Sequence, residues 1–363
     1  MAINEYTIEE LKEFFVKLNE PSYRAKQTFL RIHKYLANDI EEFTELPKKL
    51  REYIRENQLF PVLNLSDTES IEDDSKDKGT QKFIFEYQNP KISKSRIFES
   101  VWIVSEKRRT ACISSQSGCS LNCVFCATAK IPFKGNLSTW QILQQIYQMI
   151  RFRKTYVNPK EKLTNVVFMG MGEPFYNYDN VLKAAKILNH PDGLNIGARH
   201  ITISTAGVIP GIERFISEKQ PFNLAISLNN PFNEERSFLM DVNKKYSLED
   251  LLKVVKKYTK LYHRNITFEY ILIPGVNMSE SHIKEILRIA NYIKYCKFNL
   301  IPLNTNFNQW RAPTEEEILN FQQKLREKGI LAFYRGSPGK KIHAACGMLA
   351  LQKTAKIEDK MIL

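Results

Sequence analysis

From about residue 108 the chain alternates short apolar runs with amphipathic stretches, and nothing else in it limits the fold as sharply. The runs Thr110–Ser115, Asn165–Gly170, His200–Ala206, Asn223–Asn229, Ile266–Ile273 and Lys297–Leu303 read as strands. Between them, helices open on capping signals. Ser138-Thr-Trp-Gln141 precedes Ile142, Ile146 and Ile150, while Ser247-Leu-Glu-Asp250 and Thr314-Glu-Glu-Glu317 begin two later helices. Repeated strand–helix units require a parallel sheet with right-handed crossovers. Six units fit a partial (βα)6 barrel better than a complete eight-unit one, and a seventh strand, Leu331–Arg335, leads into the C-terminal segment. Chemistry in such barrels gathers at the C-terminal ends of the strands.

The chain ahead of this region has a different texture. Leu11, Phe14, Phe15 and Leu18 recur at helical spacing, as do Phe29, Ile32, Leu36 and Ile40; Leu50, Tyr53 and Ile54 start another helix after Leu46-Pro47. Ser66–Thr80 is charged and nearly devoid of apolar residues, which predicts a solvated loop or linker. Lys82–Tyr87 and Arg96–Val104 alternate like paired strands. The expected fold class is therefore α/β, with a helical domain at 1–60, a linker and β extension at 61–104, a partial barrel at 105–340 and a C-terminal segment at 341–363.

Directly after the first barrel strand come Cys119, Cys123 and Cys126, spaced C-x3-C-x2-C. Three thiolates can hold three irons of a [4Fe–4S] cube, for which four cysteines are the usual complement. The missing fourth ligand leaves one iron open to a small molecule. Zinc would want a fourth protein ligand nearby, and no Cys or His follows in the loop. Six cysteines in all, three of them in one loop, point to metal ligation or catalysis in a reducing cytoplasm rather than to a disulfide framework. No apolar run approaches the roughly 20 residues of a membrane span, and the N-terminus lacks the apolar core of a secretory signal. With 53 basic against 40 acidic residues the net charge is +13, which favours a polyanionic partner such as nucleic acid over the alternative of an ordinary basic protein.

The loop resembles the hallmark of radical S-adenosylmethionine (SAM) enzymes. The wider wording, Cys112-Ile-Ser-Ser-Gln-Ser-Gly-Cys119 with Cys126-Ala-Thr-Ala, resembles the RlmN/Cfr family of radical SAM RNA adenosine methyltransferases. The resemblance extends from Tyr23 to Cys346. It implies a radical SAM barrel whose cluster is held by Cys119, Cys123 and Cys126, and two SAM molecules per turnover. Gly172 and Glu173, in Phe168-Met-Gly-Met-Gly-Glu-Pro174, match the motif that holds SAM's amino group; Ser204, Ser227, Leu228, Asn229 and Asn304 match further SAM contacts. Asn229 stands where the family usually has His.

Cys346, in Lys341-Ile-His-Ala-Ala-Cys-Gly347, matches the cysteine that carries the methyl group, with Cys112 as the thiol that resolves it through a transient disulfide. His343 replaces a common Asp, and Lys340-Lys341 replace acidic residues. Glu99, 13 residues before Cys112, matches the catalytic glutamate that removes a ring proton. Cys296 fits no motif and reads as core. The partners implied are 23S rRNA, possibly tRNA as well, contacted in part by the basic helical domain, and an electron donor such as flavodoxin; the implied protein is a cytoplasmic monomer. Pro174 favours methylation at carbon 2 over the Cfr-type carbon 8. A non-catalytic iron–sulfur RNA-binding protein and a radical SAM enzyme acting on a small molecule are the other readings. The open three-ligand loop argues against the first, and Cys346 with the basic N-terminal helices against the second.

Overall fold

A computed structural model describes residues 2–72, 78–88, 95–304 and 310–349. The chain opens with α1 (Ile8–Lys17), α2 (Tyr23–His33) and α3 (Lys48–Glu56). Thr7 caps α1 reciprocally: its N–H donates to Glu10 Oε2 at 2.7 Å and its hydroxyl accepts from Glu10 N at 3.3 Å. Leu36 and Ile40 continue the apolar spacing of α2 and are buried, yet the helix stops at His33 and Leu36 takes φ +60°. Burial, not helix, sustains the period there.

The helical unit is welded to the barrel. His33 Nδ1 and Tyr147 Oη are 2.7 Å apart in the interior. Lys183 Nζ reaches Glu10 at 2.7 Å, and Arg151 donates to the carbonyl of Leu36 at 2.6 Å.

An antiparallel extension follows, with β1 (Asn64–Ser70), β2 (Gln81–Gln88) and β3 (Ser95–Val104). The linker reading of Ser66–Thr80 is thus corrected over 66–70, which belong to β1: Asp67↔Ile84 to Ser70↔Gln81 pair in register with β2, and Ser66 sits at an irregularity in the ladder; 73–77 lie outside the described residues. The polar composition suits an edge strand whose partner supplies the backbone hydrogen bonds and whose charged side chains discourage further pairing. Glu69 pairs with Lys82 at 3.0 Å.

The barrel strands are β4 (Arg109–Cys112), β7 (Asn165–Phe168), β8 (Ile201–Thr205), β9 (Asn223–Ser227), β10 (Ile266–Leu272), β11 (Cys296–Pro302) and β12 (Ala332–Tyr334), with a small ladder of β5 (Gln116–Ser117) and β6 (Gly135–Asn136). Among the described residues the main sheet has ten strands in the order β1-β2-β3-β4-β7-β8-β9-β10-β11-β12, parallel from β4 onward. Sequential order without closure between β1 and β12 is an open, partial barrel. Its helices are α4 (Thr139–Tyr156), α5 (Tyr178–Asn189), α6 (Ile209–Ser217), α7 (Asn233–Leu239), α8 (Val242–Lys245), α9 (Leu248–Tyr262), α10 (Glu280–Ile293) and α11 (Glu315–Glu327). The expected caps form: Ser138 N donates to Gln141 Oε1 at 2.9 Å, Asp250 N to Ser247 Oγ at 3.2 Å, and Glu317 N to Thr314 Oγ1 at 3.2 Å. Among the described residues no helix is long and apolar enough to cross a membrane.

Most strands stop one or two residues short of the apolar runs that announce them. Gly170, Ala206 and Asn229 lie just past their ladders, where the backbone turns to build the site.

Candidate active site

The small β5–β6 ladder closes the base of the cysteine loop. Gly118 takes φ +74°, and a Cβ there would fall 2.4 Å from the Pro132 carbonyl oxygen, so only glycine fits. The loop is fastened at both ends. Val124 N donates to the Leu239 carbonyl at the end of α7 (3.1 Å), Ala127 N to Gly347 O (2.8 Å) and Thr128 Oγ1 to Leu349 O (2.8 Å). The last two bonds draw the C-terminal segment over the loop.

Cys119, Cys123 and Cys126 keep some exposed surface, but the surroundings of their sulfurs are desolvating. Burial pushes Cys119 up to about 12, Cys123 well above the ordinary thiol range and Cys126 upward. The charges of Cys119 and Cys126 oppose ionisation of Cys123, and Glu173 adds to the effect on Cys119 and Cys123. Three thiols and a carboxylate that repel one another as anions fit a cationic group that would hold all three thiolates. Among the described residues no three His, Cys, Asp or Glu are gathered as for a single metal ion. A cube takes one thiolate on each of three irons, so its ligands stand farther apart than those of one ion. The donor set fits a cluster.

At the end of β7, Gly172 takes φ +95° and presses on Gln116, leaving 2.4 Å to the Gln116 Cβ for any added methyl. Glu173 N donates to Gln116 Oε1 at 2.9 Å. The Glu173 carboxylate is buried and accepts from Phe175 N (2.9 Å) and Ala206 N (2.8 Å), tying the ends of β7 and β8 together. Burial raises its pKa while these donors oppose the shift. A carboxylate offers about four acceptor positions; with the Thr205 side chain as a third protein donor, one remains for a ligand ammonium.

Ser204 is buried on β8 and Ser227 half-buried at the end of β9; neither hydroxyl hydrogen-bonds to protein among the described residues. Leu228 is wholly buried and offers backbone only: its N–H donates to Glu269 O at 3.0 Å. Asn229 differs from the other expected SAM contacts. It takes φ +56°, accepts from Ile271 N through Oδ1 (3.1 Å) and points Nδ2 at Met240 Sδ (3.3 Å), while Asn277 donates to its carbonyl at 2.7 Å. Its side chain is occupied in joining β9 to β10.

Cys112 ends β4 opposite Val101 of β3, and Glu99 shares the face of Val101 two residues away. Glu99 is 1% exposed; its N–H reaches Met171 Sδ at 3.4 Å, and its carbonyl accepts from Ser114 Oγ at 2.5 Å. Cys346 arrives on the C-terminal segment, where Asn304 Nδ2 donates to its carbonyl at 3.1 Å. The Asn304 Oδ1 is buried without a hydrogen-bond partner among the described residues, an acceptor open to a ligand donor.

Cys346 lies within electrostatic reach of Cys112, Cys126 and Arg335. Burial pushes Cys112 up to about 12, with Cys346 adding to the shift and Arg335 opposing it. All six cysteines are free thiols, so the expected disulfide is absent from this state. Cys296 is buried, as a core residue.

Sequence reading missed three charged groups. Arg335, just past β12, acts on both Cys112 and Cys346; its position at a strand end was the available signal. Glu269 is buried on β10, accepts from Asn299 Nδ2 at 3.0 Å and has its pKa raised by burial against the pull of Arg335. Arg236 is fully buried on α7, and nothing in the helical periodicity marks it.

An open parallel barrel with a three-thiol loop on its first strand, and glycines with a buried carboxylate on its second, defines the class as a barrel enzyme working at its strand ends. The Radical SAM superfamily model matches residues 113–288, and the model described as the ribosomal RNA large subunit methyltransferase N-terminal domain matches residues 1–59. A relative from Leptospira biflexa described as "Probable dual-specificity RNA methyltransferase RlmN" is 46% identical over 350 residues, covering 95% of each chain. One from Aquifex aeolicus with the same description is 39% identical over 355 residues, covering 97% of each. The crystal structure of a radical SAM methyltransferase from Sphaerobacter thermophilus superposes with a TM-score of 0.88 at 35% identity, covering 96% of this chain and 99% of that one. The chain belongs to the RlmN-like family of radical SAM methyltransferases.

Proposed function

We propose that the protein methylates a ring carbon of an adenosine in RNA, carbon 2 by preference, with Cys346 as the methyl carrier. The observation that carries this is the fastening of the Cys346 segment over the cysteine loop, through Ala127 N to Gly347 O and Thr128 Oγ1 to Leu349 O, which brings Cys346 within electrostatic reach of Cys112 and Cys126. The descriptions of the Leptospira and Aquifex relatives support RNA as substrate, and Pro174 supports carbon 2. The targets we infer are 23S rRNA and tRNA, with residues 1–60 as an RNA-contacting unit and a flavodoxin-type electron donor, in a monomeric cytoplasmic enzyme.

Cys119, Cys123 and Cys126 would hold a [4Fe–4S] cluster that, when bound, takes SAM on its open iron and supplies the hydrogen-abstracting radical. Gly172, Glu173, Ser204, Ser227 and Asn304 line the approach to it: Glu173 offers an acceptor position to an ammonium, and the two hydroxyls and the Asn304 oxygen are free of protein partners among the described residues. The Cys346 thiolate attacks the methyl carbon of one SAM, so that a new S–C bond forms as S-adenosylhomocysteine leaves. After a hydrogen is removed from that methyl, its carbon bonds to the adenine ring. Glu99 takes the ring proton, which needs a carboxylate within hydrogen-bond reach. Cys112, as thiolate, attacks Cys346 sulfur, and the bond from that sulfur to the transferred carbon breaks. The carbon takes up the proton that Glu99 removed from the ring, and the one electron left over would go to the oxidised cluster that Cys119, Cys123 and Cys126 hold. This frees the methylated base and leaves a disulfide that an external thiol must reduce.

The test uses reconstituted enzyme, RNA and SAM. Cys346→Ala abolishes methylation, and Cys112→Ala leaves RNA covalently bound to the protein. Undiminished turnover in the first variant sinks the carrier role, and clean turnover in the second sinks the resolving role. Mass spectrometry of product nucleosides reads the methylated carbon.

A further inference from the structure

One buried cation stands beside the cysteine loop with only neutral acceptors around it. Arg236 is 0% exposed. Its Nε donates to Leu228 O (3.0 Å), Nη1 to Asn243 Oδ1 (2.5 Å), and Nη2 to Ala206 O (2.6 Å) and Ser227 O (2.9 Å). The fork thus clasps the ends of β8 and β9, where Ser204 and Ser227 sit. The one ionisable group acting on it among the described residues is Cys123. Burial pulls the guanidinium down to about 10, and Cys123 works in the opposite direction.

A charge taken out of water persists when a counter-charge compensates it. None of the four acceptors that Arg236 meets is charged, so the anionic site that Cys119, Cys123 and Cys126 would form around a cluster is the compensating charge. The backbone connects the two groups directly. Arg236 O accepts from Met240 N at 2.8 Å, and the neighbouring carbonyl of Leu239 accepts from Val124 N, the residue after Cys123. Any movement of α7 moves the cysteine loop.

We propose that Arg236 is the fixed counter-charge of the iron–sulfur site, a positioning residue that stabilises the more negative, reduced cluster and so raises its reduction potential. The inference rests on Cys119, Cys123 and Cys126 being cluster ligands. Reduction adds one electron from a low-potential reductant and no proton, so the added charge is opposed only by fixed groups nearby, and potentials respond to local net charge. A permanent cation favours the reduced state.

The experiment is an anaerobic redox titration of reconstituted protein with dithionite and mediator dyes, following the EPR signal of the reduced cluster. Where the parent is half reduced, Arg236→Gln is expected to show about a tenfold lower ratio of reduced to oxidised cluster, equivalent to about 59 mV for one electron. Arg236→Lys keeps the charge and loses the fork, so its ratio stays within about twofold of the parent. Asn243→Asp places a carboxylate against Nη1 and shifts the ratio in the direction of Arg236→Gln; it decides the matter if Arg236→Gln fails to take up iron. An unshifted Arg236→Gln, or a Lys variant that falls as far as the Gln variant, overturns the counter-charge and leaves a structural clasp. Parent protein that takes up no iron overturns the cluster reading itself, an outcome distinct from an unchanged potential.

Discussion

Gly172 has no room for a methyl group. At φ +95° with Gln116 Cβ 2.4 Å from an added Cβ, Gly172→Ala must move Gln116 and loosen the Glu173 N–Gln116 bond. The expected cost is about 1–3 kcal/mol, read by thermal denaturation, with a weaker effect of SAM on the reduced cluster's EPR signal. Cys112 poses a different problem, because the resolving role proposed for it needs a thiolate and burial pushes its thiol up to about 12. Its folded pKa lies above the ordinary thiol value, so the unfolded chain loses its proton first as pH rises. The stability tied to this group is present below about pH 8.5 and is lost as pH climbs toward 12. Arg335 is the cation that opposes the shift. Arg335→Met should therefore slow alkylation of Cys112 at pH 9 severalfold and prolong the RNA–protein adduct during turnover. Mass mapping of alkylated peptides and gel analysis of the adduct check the two effects.

At the scale of elements, α2 docks on α4 through His33. Burial lowers this imidazole to about 3, and its Nδ1 faces Tyr147 Oη. The unfolded chain takes up a proton near the usual 6.5 while the folded one resists, so stability falls as pH drops from about 6.5 toward 3. At the acid limit the effect is about 4–5 kcal/mol, to be read from denaturant unfolding at several pH values. His33→Gln keeps a polar group toward Tyr147 and removes the titration, so its acid limb should flatten. The β1 strand teaches a complementary lesson. Residues 66–70 carry no apolar signal, yet they form an edge strand because β2 presents an open ladder. Composition reports what a segment can bury, and an edge strand need bury little.

The whole molecule carries +13, and Lys26, Lys34, Lys48 and Lys49 are exposed on the helical unit. If these lysines meet phosphates, RNA affinity falls as a power of salt concentration, and each phosphate neutralised contributes about 0.7 to 0.9 to the log–log slope. Lys48→Glu with Lys49→Glu should weaken RNA binding and reduce that slope by about 1.4 to 1.8. SAM's effect on the cluster EPR signal should remain. An unchanged slope in filter binding across salt would remove α3 from the RNA footprint.

The sequence by itself determined the parallel barrel, the helical unit, the cysteine loop and its place after the first strand. These follow from local periodicity and spacing, which survive without knowledge of distant residues. Tertiary structure alone decided that the C-terminal segment folds over the cysteine loop, that Asn229 turns its amide into the fold, and that Arg236 lies wholly buried at the ends of β8 and β9. The reason is physical. A group's ionisation and its partners depend on solvent exclusion by segments far away in the chain, and no local pattern encodes which segments those are.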